Sequence, residues 1–367
     1  MSKRILILIT ACVAALTTMQ AKNWLGGDIS MLSALQNKGA VYNDNKGKAI
    51  DPYKLFRKAG WNMMRVRLFV DPQNANAAHK GEGVCQDLPY VIDLCRTIKK
   101  EGFAIMLDFH YSDTWADPAK QYTPKRWEGL DAKTLADSIY RYTKYCLFAL
   151  KKAGVAPDMI QVGNEITYGM DWPTGRVDPL SDDNWNVLGS LLKAGVKACR
   201  EECPKAQLII HTEHAGDWDM TESYYEHLDE EGVDYDIIGL SYYPMWHKSI
   251  PNLSANLSNL TARFPNKPIM IVETAYFFEH DGKPASEFED FSHCPPGTVE
   301  GQREFTAQLV NELTKHKNVI GLFWWYPEET AFGVQPQPRG LLNRGLFDPT
   351  TGNALPALYE MKRFKKK

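Results

Sequence analysis

Two glutamates frame the chemistry open to this sequence. Glu165 follows the apolar run Met159–Asn164, and Glu273 lies near the end of the run Pro268–Thr274. Two carboxylates flanking one scissile bond are the minimum apparatus for glycoside hydrolysis. One must hold a proton near neutral pH and the other must stay ionised, so their environments must differ. Further polar and aromatic residues stand at matching positions: Arg65 and Arg67 in Met63–Val70, Asp108 and His110 closing Phe103–His110, and Asn164 beside Glu165. His211 closes Gln207–His211 with His214 just beyond, Tyr242 and Tyr243 close Ile237–Tyr243, and Trp324 and Trp325 lie in Val319–Tyr326. Arg67 can keep the nucleophilic carboxylate ionised by charge and hydrogen bonding. Asn164 can donate to the sugar hydroxyl next to the reacting carbon, and Tyr243 can orient the nucleophile. Trp325 offers a flat apolar face to a pyranose ring, and His110 and His214 can reach sugar hydroxyls. Each has a plainer use: an interior ion pair for Arg67, a cap or turn for Asn164, core packing for Tyr243 and Trp325, solvation for the histidines.

The elements that must position these residues follow from hydrophobic periodicity. Those seven runs and an eighth, Trp24–Ser30, alternate with amphipathic segments near 51–59, 88–101, 132–153, 184–200, 220–230, 251–264, 299–316 and 354–364. Leu135, Ile139, Tyr142, Cys146 and Ala149 repeat at helical spacing in the third of these. Asp51-Pro52 and Asp131 are helix starts, and Gly154 is a stop. Eight strand-helix pairs with near-continuous apolar strands predict a parallel sheet buried on both faces. A single α/β domain, a (β/α)8 TIM barrel over residues 22–367, accommodates all eight. A doubly wound open sheet is the alternative, but Gly26-Gly27-Asp28 lacks the glycine spacing of a phosphate-binding turn. In a barrel all the C-terminal strand ends open on one face, so the polar residues converge there.

Composition fits an ordinary globular chain of 367 residues with 44% apolar and 24% charged residues. A net charge of −3 leaves no nucleic-acid footprint. Residues 1–21 read as a secretory signal: Lys3 and Arg4 precede an apolar run from Ile5 to Leu16, too short to span a bilayer. The alternative is a lipid anchor at Cys12, within Ile9-Thr10-Ala11-Cys12. Either reading implies export to the periplasm, the cell surface or the medium, and no later stretch is long enough for a membrane span. Beyond the signal, Cys85, Cys95, Cys146, Cys199, Cys203 and Cys294 form up to three disulfides or remain buried thiols. Cys199 and Cys203 are near enough along a helix to pair. No cluster suggests zinc. Glu279, Asp281, Glu287, Glu289, Asp290 and His293 are loop ligands of the kind calcium takes, or a solvated acidic loop.

The run His110-Tyr111-Ser112-Asp113-Thr114-Trp115-Ala116-Asp117-Pro118 resembles the signature of glycoside hydrolase family 53, the arabinogalactan endo-β-1,4-galactanases. Gly26–Ser30, Arg65-Val66-Arg67, Gln161–Glu165, Gly239–Pro244, Val272-Glu273-Thr274 and Gly352–Leu358 resemble other family segments, in family order. The resemblance implies a (β/α)8 barrel of the retaining clan, with Glu165 as acid/base, Glu273 as nucleophile, and Asn164 and Arg67 in supporting positions. It implies β-1,4-galactan as substrate and double displacement with no required cofactor; calcium is known in some bacterial relatives. A monomer is expected, because a polymer substrate favours an open cleft. Two departures stand out: Trp325-Tyr326-Pro327 replaces Trp-Glu-Pro, and Phe69 stands where Trp is frequent. The rival functions are a sister endo-glycanase cutting β-mannan or β-glucan, and a glycan-binding protein without catalysis.

Overall fold

A computed structural model describes residues 23–335 and 343–366, so the expected signal segment and Cys12 lie outside the described residues. Among these, eight parallel strands close a barrel in sequential order: β1 Trp24–Asp28, β2 Met63–Leu68, β3 Ala104–Phe109, β4 Met159–Val162, β5 Gln207–Thr212, β6 Ile237–Ser241, β7 Ile269–Thr274 and β8 Val319–Trp324. Helices α1 Pro52–Lys58, α2 Leu88–Lys100, α3 Ala132–Lys152, α4 Trp185–Glu202, α5 Trp218–Glu230, α6 Ile250–Arg263, α7 Val299–Leu313 and α8 Pro356–Glu360 follow the strands in turn. The expected TIM barrel is therefore the fold.

Local chemistry sets the helix starts. The carboxylates of Asp51, Asp87, Asp131 and Asp217 accept from the backbone N–H three residues on, satisfying donors that the first helical turn leaves open. Thr298 does the same for α7 through its hydroxyl. Several strands end earlier than their apolar runs. His110, Asn164, Tyr243 and Trp325 lie just past the ladders, where the chain has turned out of the sheet and side chains are free to face the mouth.

The barrel interior is layered. Met63, Met106, Met159, Ile209, Ile237, Met270 and Phe323 form an apolar plug. Two residues further along β2, β3, β4 and β5 come Arg65, Asp108, Gln161 and His211, all fully buried. Strand β7 breaks the alternation. Leu240 pairs with Ile271, but the next residue, Ser241, pairs with Glu273. This bulge lets Val272 join the plug while Glu273 lines the mouth.

The six described cysteines are free thiols, four of them buried, so of the two readings the unpaired one describes them; Cys199 and Cys203 pack as separate apolar side chains. The 278–298 loop is closed by a two-stranded ribbon, Glu279–His280 with Gly297–Thr298. Three of its acidic residues have protein partners. Asp281 pairs with Lys283, Asp290 with His293, and Glu289 accepts from Trp246 and the Ala285 backbone. No set of three or more potential metal ligands gathers among the described residues.

Gly26 marks the tightest approach in the barrel wall, since a Cβ there would stand 1.9 Å from the Met63 carbonyl oxygen. The G26A variant is expected to lose about 1–3 kcal/mol or more of stability, read as a lower urea midpoint by circular dichroism.

Candidate active site

A cleft of about 890 Å³ opens at the C-terminal ends of the strands. It is lined by His110, Trp115, Asn164, Glu165, Glu213, His214, Tyr243, Trp246, Glu273, Trp325, Tyr326 and Arg344, among others. The two glutamates singled out by position therefore share one cavity. Both are almost wholly buried, at 8% and 5% exposure, so their carboxyls face the cleft rather than bulk water.

Their surroundings differ in kind. Burial raises the pKa of Glu273, but Arg65 pulls it back, with a guanidinium nitrogen 2.8 Å from Oε1. The Tyr243 hydroxyl donates to its Oε2 at 3.0 Å. Among the described residues no cation contacts Glu165. Burial and the charge of Glu273 drive its pKa well above the ordinary carboxyl value, and Glu213 adds to the push. The Ser241 hydroxyl, donating to Oε1 at 2.6 Å, works the other way. One carboxyl is thus held toward the protonated form while the other keeps a counter-charge, as an acid and a nucleophile require.

Glu165 is presented by a strained turn. Its φ is +48°, in the left-handed region, and Gly163 before it has φ +88°. Side-chain hydrogen bonds hold this turn. Gln121 Nε2 donates to the carbonyls of Asn164 and Glu165, and the Glu165 N–H donates to His211 Nδ1. With Nδ1 accepting, the neutral His211 ring carries its proton on Nε2 and donates to Ser241 Oγ at 2.8 Å. A chain of oriented donors therefore runs His211, Ser241, Glu165.

Beneath the glutamates lies a buried polar network centred on Arg65. Its Nη1 meets Asp28 and Glu273, its Nη2 meets Asp108 at 2.8 Å and Asn164 Oδ1 at 2.7 Å, and its Nε donates to Gln161. Burial works against the charge on Arg65, but Asp108, Glu273 and Asp28 together raise its pKa above the usual arginine value.

This geometry corrects the sequence reading of Arg67. The cation paired with Glu273 is Arg65, two residues earlier on the same strand. Arg67 is tied to Asp28 Oδ1 at 3.0 Å, and its guanidinium lies 4.3 Å from the Trp115 ring centroid. These partners, on β1 and in the loop after β3, hold it away from β7. His110 is also more committed than expected: Nδ1 accepts from the Ala116 N–H, and Nε2 lies 3.0 Å from Asp108. Only the imidazole edge and face remain for a ligand. Asn164 spends its oxygen on Arg65 and one amide hydrogen on the Ala116 carbonyl, which leaves one amide hydrogen free. His214 is the most open of the polar set, near Glu213 and the Tyr168 hydroxyl. Trp325 is half-buried against Trp115 and Tyr326 with part of its ring in the cleft.

The HYSDTWADP run now has a local explanation. His110 bonds the Ala116 N–H, Asp113 accepts from Asn74 and the Lys125 N–H, and Tyr111 hydrogen-bonds Thr143. The loop is folded onto itself so that Trp115 covers Arg67 while Ala116 holds Asn164. Phe69 sits fully buried behind, edge-on to both His110 and Trp115. Sequence reasoning missed Ser241 and Glu213. Glu213 stands at 2% exposure with its pKa pushed up to about 8 by burial, and its carboxyl accepts from Thr167. A third acid two residues past His211 was the available signal.

Comparison with known proteins agrees with this geometry. Residues 24–361 match glycosyl hydrolase family 53. An arabinogalactan endo-β-1,4-galactanase of Cellvibrio japonicus is 34% identical over 99% of this chain and 97% of its own length. An endo-β-1,4-galactanase of Bacillus subtilis is 32% identical over 85% of this chain and 71% of its own. The family 53 catalytic domain of Ignisphaera aggregans superposes with a TM-score of 0.79 at 29% identity, covering 97% of this chain and 99% of that one. With two carboxylates of opposed character at the mouth of a closed barrel and a family match across that barrel, the chain belongs to glycosyl hydrolase family 53.

Proposed function

We propose that this protein is a retaining endo-β-1,4-galactanase that cuts the β-1,4-galactan of type I arabinogalactan. The observation that carries the reading is the asymmetry of the two cleft glutamates. Glu273, ion-paired to Arg65 and hydrogen-bonded by Tyr243, is the nucleophile. It attacks the anomeric carbon while Glu165, held protonated by burial and by the charge of Glu273, delivers its proton to the departing glycosidic oxygen. Glu165 is then a carboxylate beside a neutral ester, and it takes a proton from the water that frees the sugar. Two carboxyls and a water suffice, so no cofactor enters the cycle.

Asn164 keeps one amide hydrogen for the hydroxyl beside the reacting carbon, and Trp325 gives that sugar an apolar floor. Tyr243 serves Glu273 rather than the substrate. In this reading Arg67 braces Trp115 and Asp28 and acts on the nucleophile only through them. The galactan specificity rests on the named relatives, whose printed activities are endo-β-1,4-galactanase and arabinogalactan endo-β-1,4-galactanase. β-Mannan and β-glucan are the comparison substrates. Export through residues 1–21 and action as a monomer belong to the same proposal. Among the described residues no helix is long and apolar enough to cross a membrane.

Product analysis on linear galactan, followed by NMR, should show the β anomer first; initial release of the α anomer would exclude double displacement. E273Q is expected to lose measurable turnover. E165Q should lower kcat about 10²–10⁴-fold. The acidic limb of the activity profile should report ionisation of Glu273, and the alkaline limb deprotonation of Glu165. Removing the Ser241 hydroxyl takes away a donor that favours the carboxylate form, so S241A should move the alkaline limb to higher pH. R65M leaves Asp28, Asp108 and Glu273 without their shared cation and should cost about 3–5 kcal/mol of stability, measured by denaturant titration.

A further inference from the structure

Arg344 lies in the segment after β8 and lines the same cleft. Its backbone is fixed: the carbonyl accepts from Trp324 Nε1 at 2.9 Å, and the Asn343 carbonyl accepts from the Phe278 N–H. Its side chain is sandwiched, with Cζ 5.0 Å from the Trp246 ring centroid and 4.6 Å from that of Phe277. It is 8% exposed, makes no ion pair with any described residue, and its Nε is buried without a partner among them. Other charged groups around the mouth have partners, though Arg67 Nε and Nη2 and Glu213 Oε1 are also buried without one among the described residues. Lys120 pairs with Asp117, Arg65 and Arg67 share Asp28, and Glu289 is engaged by Trp246. The charges of Glu329 and Glu289 reach Arg344 without forming an ion pair; a cation taken out of water without a contacting counter-charge is costly, and stacking on aromatic faces returns only part of that cost. Stacking also leaves the in-plane N–H groups at the edge of the guanidinium directed away from the rings. Arg344 borders a cavity whose other walls include Tyr243, Tyr326 and the 77% exposed ring of Phe288.

We propose that Arg344 is a substrate-binding residue: its guanidinium edge donates to the hydroxyl oxygens of a neutral pyranose bound in the cleft, against the aromatic faces of Trp246 and Phe288. This deepens the glycanase reading and rests on it. Donors fixed on a rigid backbone select where hydroxyls stand around a ring, so Arg344 contributes to the choice among β-linked hexose chains.

Arg344 also lies near Tyr243, the hydrogen-bond partner of Glu273, and the test must separate contact with the sugar from an effect on the nucleophile. Galacto-oligosaccharides are titrated calorimetrically into the full chain and into R344Q and R344K, each checked for an unchanged melting temperature. The acidic limb of galactan cleavage is measured in parallel. Substrate binding predicts a Kd about tenfold or more weaker in R344Q, partial recovery in R344K, and an acidic limb that stays in place. An unchanged Kd in R344Q, with or without a displaced limb, overturns the proposal. So does equal weakening for a hydroxyl-free apolar ligand such as an alkyl-substituted arene, which would mark a general collapse of the cleft. If the wild-type chain neither binds nor cleaves galacto-oligosaccharides but acts on mannan or glucan fragments, the galactan reading has failed, and the same comparison with those fragments decides the role of Arg344.

Discussion

One guanidinium organises the mouth of this barrel. Arg65 reaches acceptors from five residues, Asp28, Gln161, Asp108, Asn164 and Glu273, which come from β1, β4, β3, the turn after β4, and β7. An arginine carries five N–H donors in a planar fork, so this environment uses it fully. Buried ion pairs are seldom better for stability than an apolar core of the same shape, and breaking one is expensive. Their value here is geometric. With Arg65 in place, Glu273 and the amide of Asn164 are fixed relative to each other although their strands are not neighbours. The methionine-rich plug beneath supplies a dry floor, which strengthens every one of these contacts.

The difference between the two glutamates is an outcome of that arrangement. Glu273 shares a cation with two other carboxylates, and burial still lifts its pKa. Glu165 meets no cation among the described residues, stands on a left-handed turn, and feels the charge of Glu273 across the cleft. The His211–Ser241 relay gives Glu165 one oriented donor, enough to fix its rotamer without the charge that would ionise it.

Much of this was legible in the sequence, for a physical reason. Barrel strands are buried on both faces, so a polar residue at the end of an apolar run has few places to go other than the mouth. That logic placed Glu165, Glu273, Asn164, Tyr243 and Trp325 around one cleft. It could not rank Arg65 above Arg67, because both point inward from one strand and only the partners on β1, β3 and β7 decide between them. Nor does strict alternation lead to Glu273, which owes its direction to the β7 bulge, a feature without a local sequence signal. Ser241 and Arg344 were hidden for a different reason. A serine in a strand and an arginine in an irregular segment carry no periodic pattern, and their roles appear only once β6 and the post-β8 segment are folded beside the cleft.

The free thiols have a consequence of their own. The wall between strands and helices includes Cys95, Cys146 and Cys199, each wholly enclosed and acting as a small hydrocarbon. The packing of the described barrel therefore does not depend on thiol oxidation. The same packed state is compatible with reducing thiols and with an oxidising space alike.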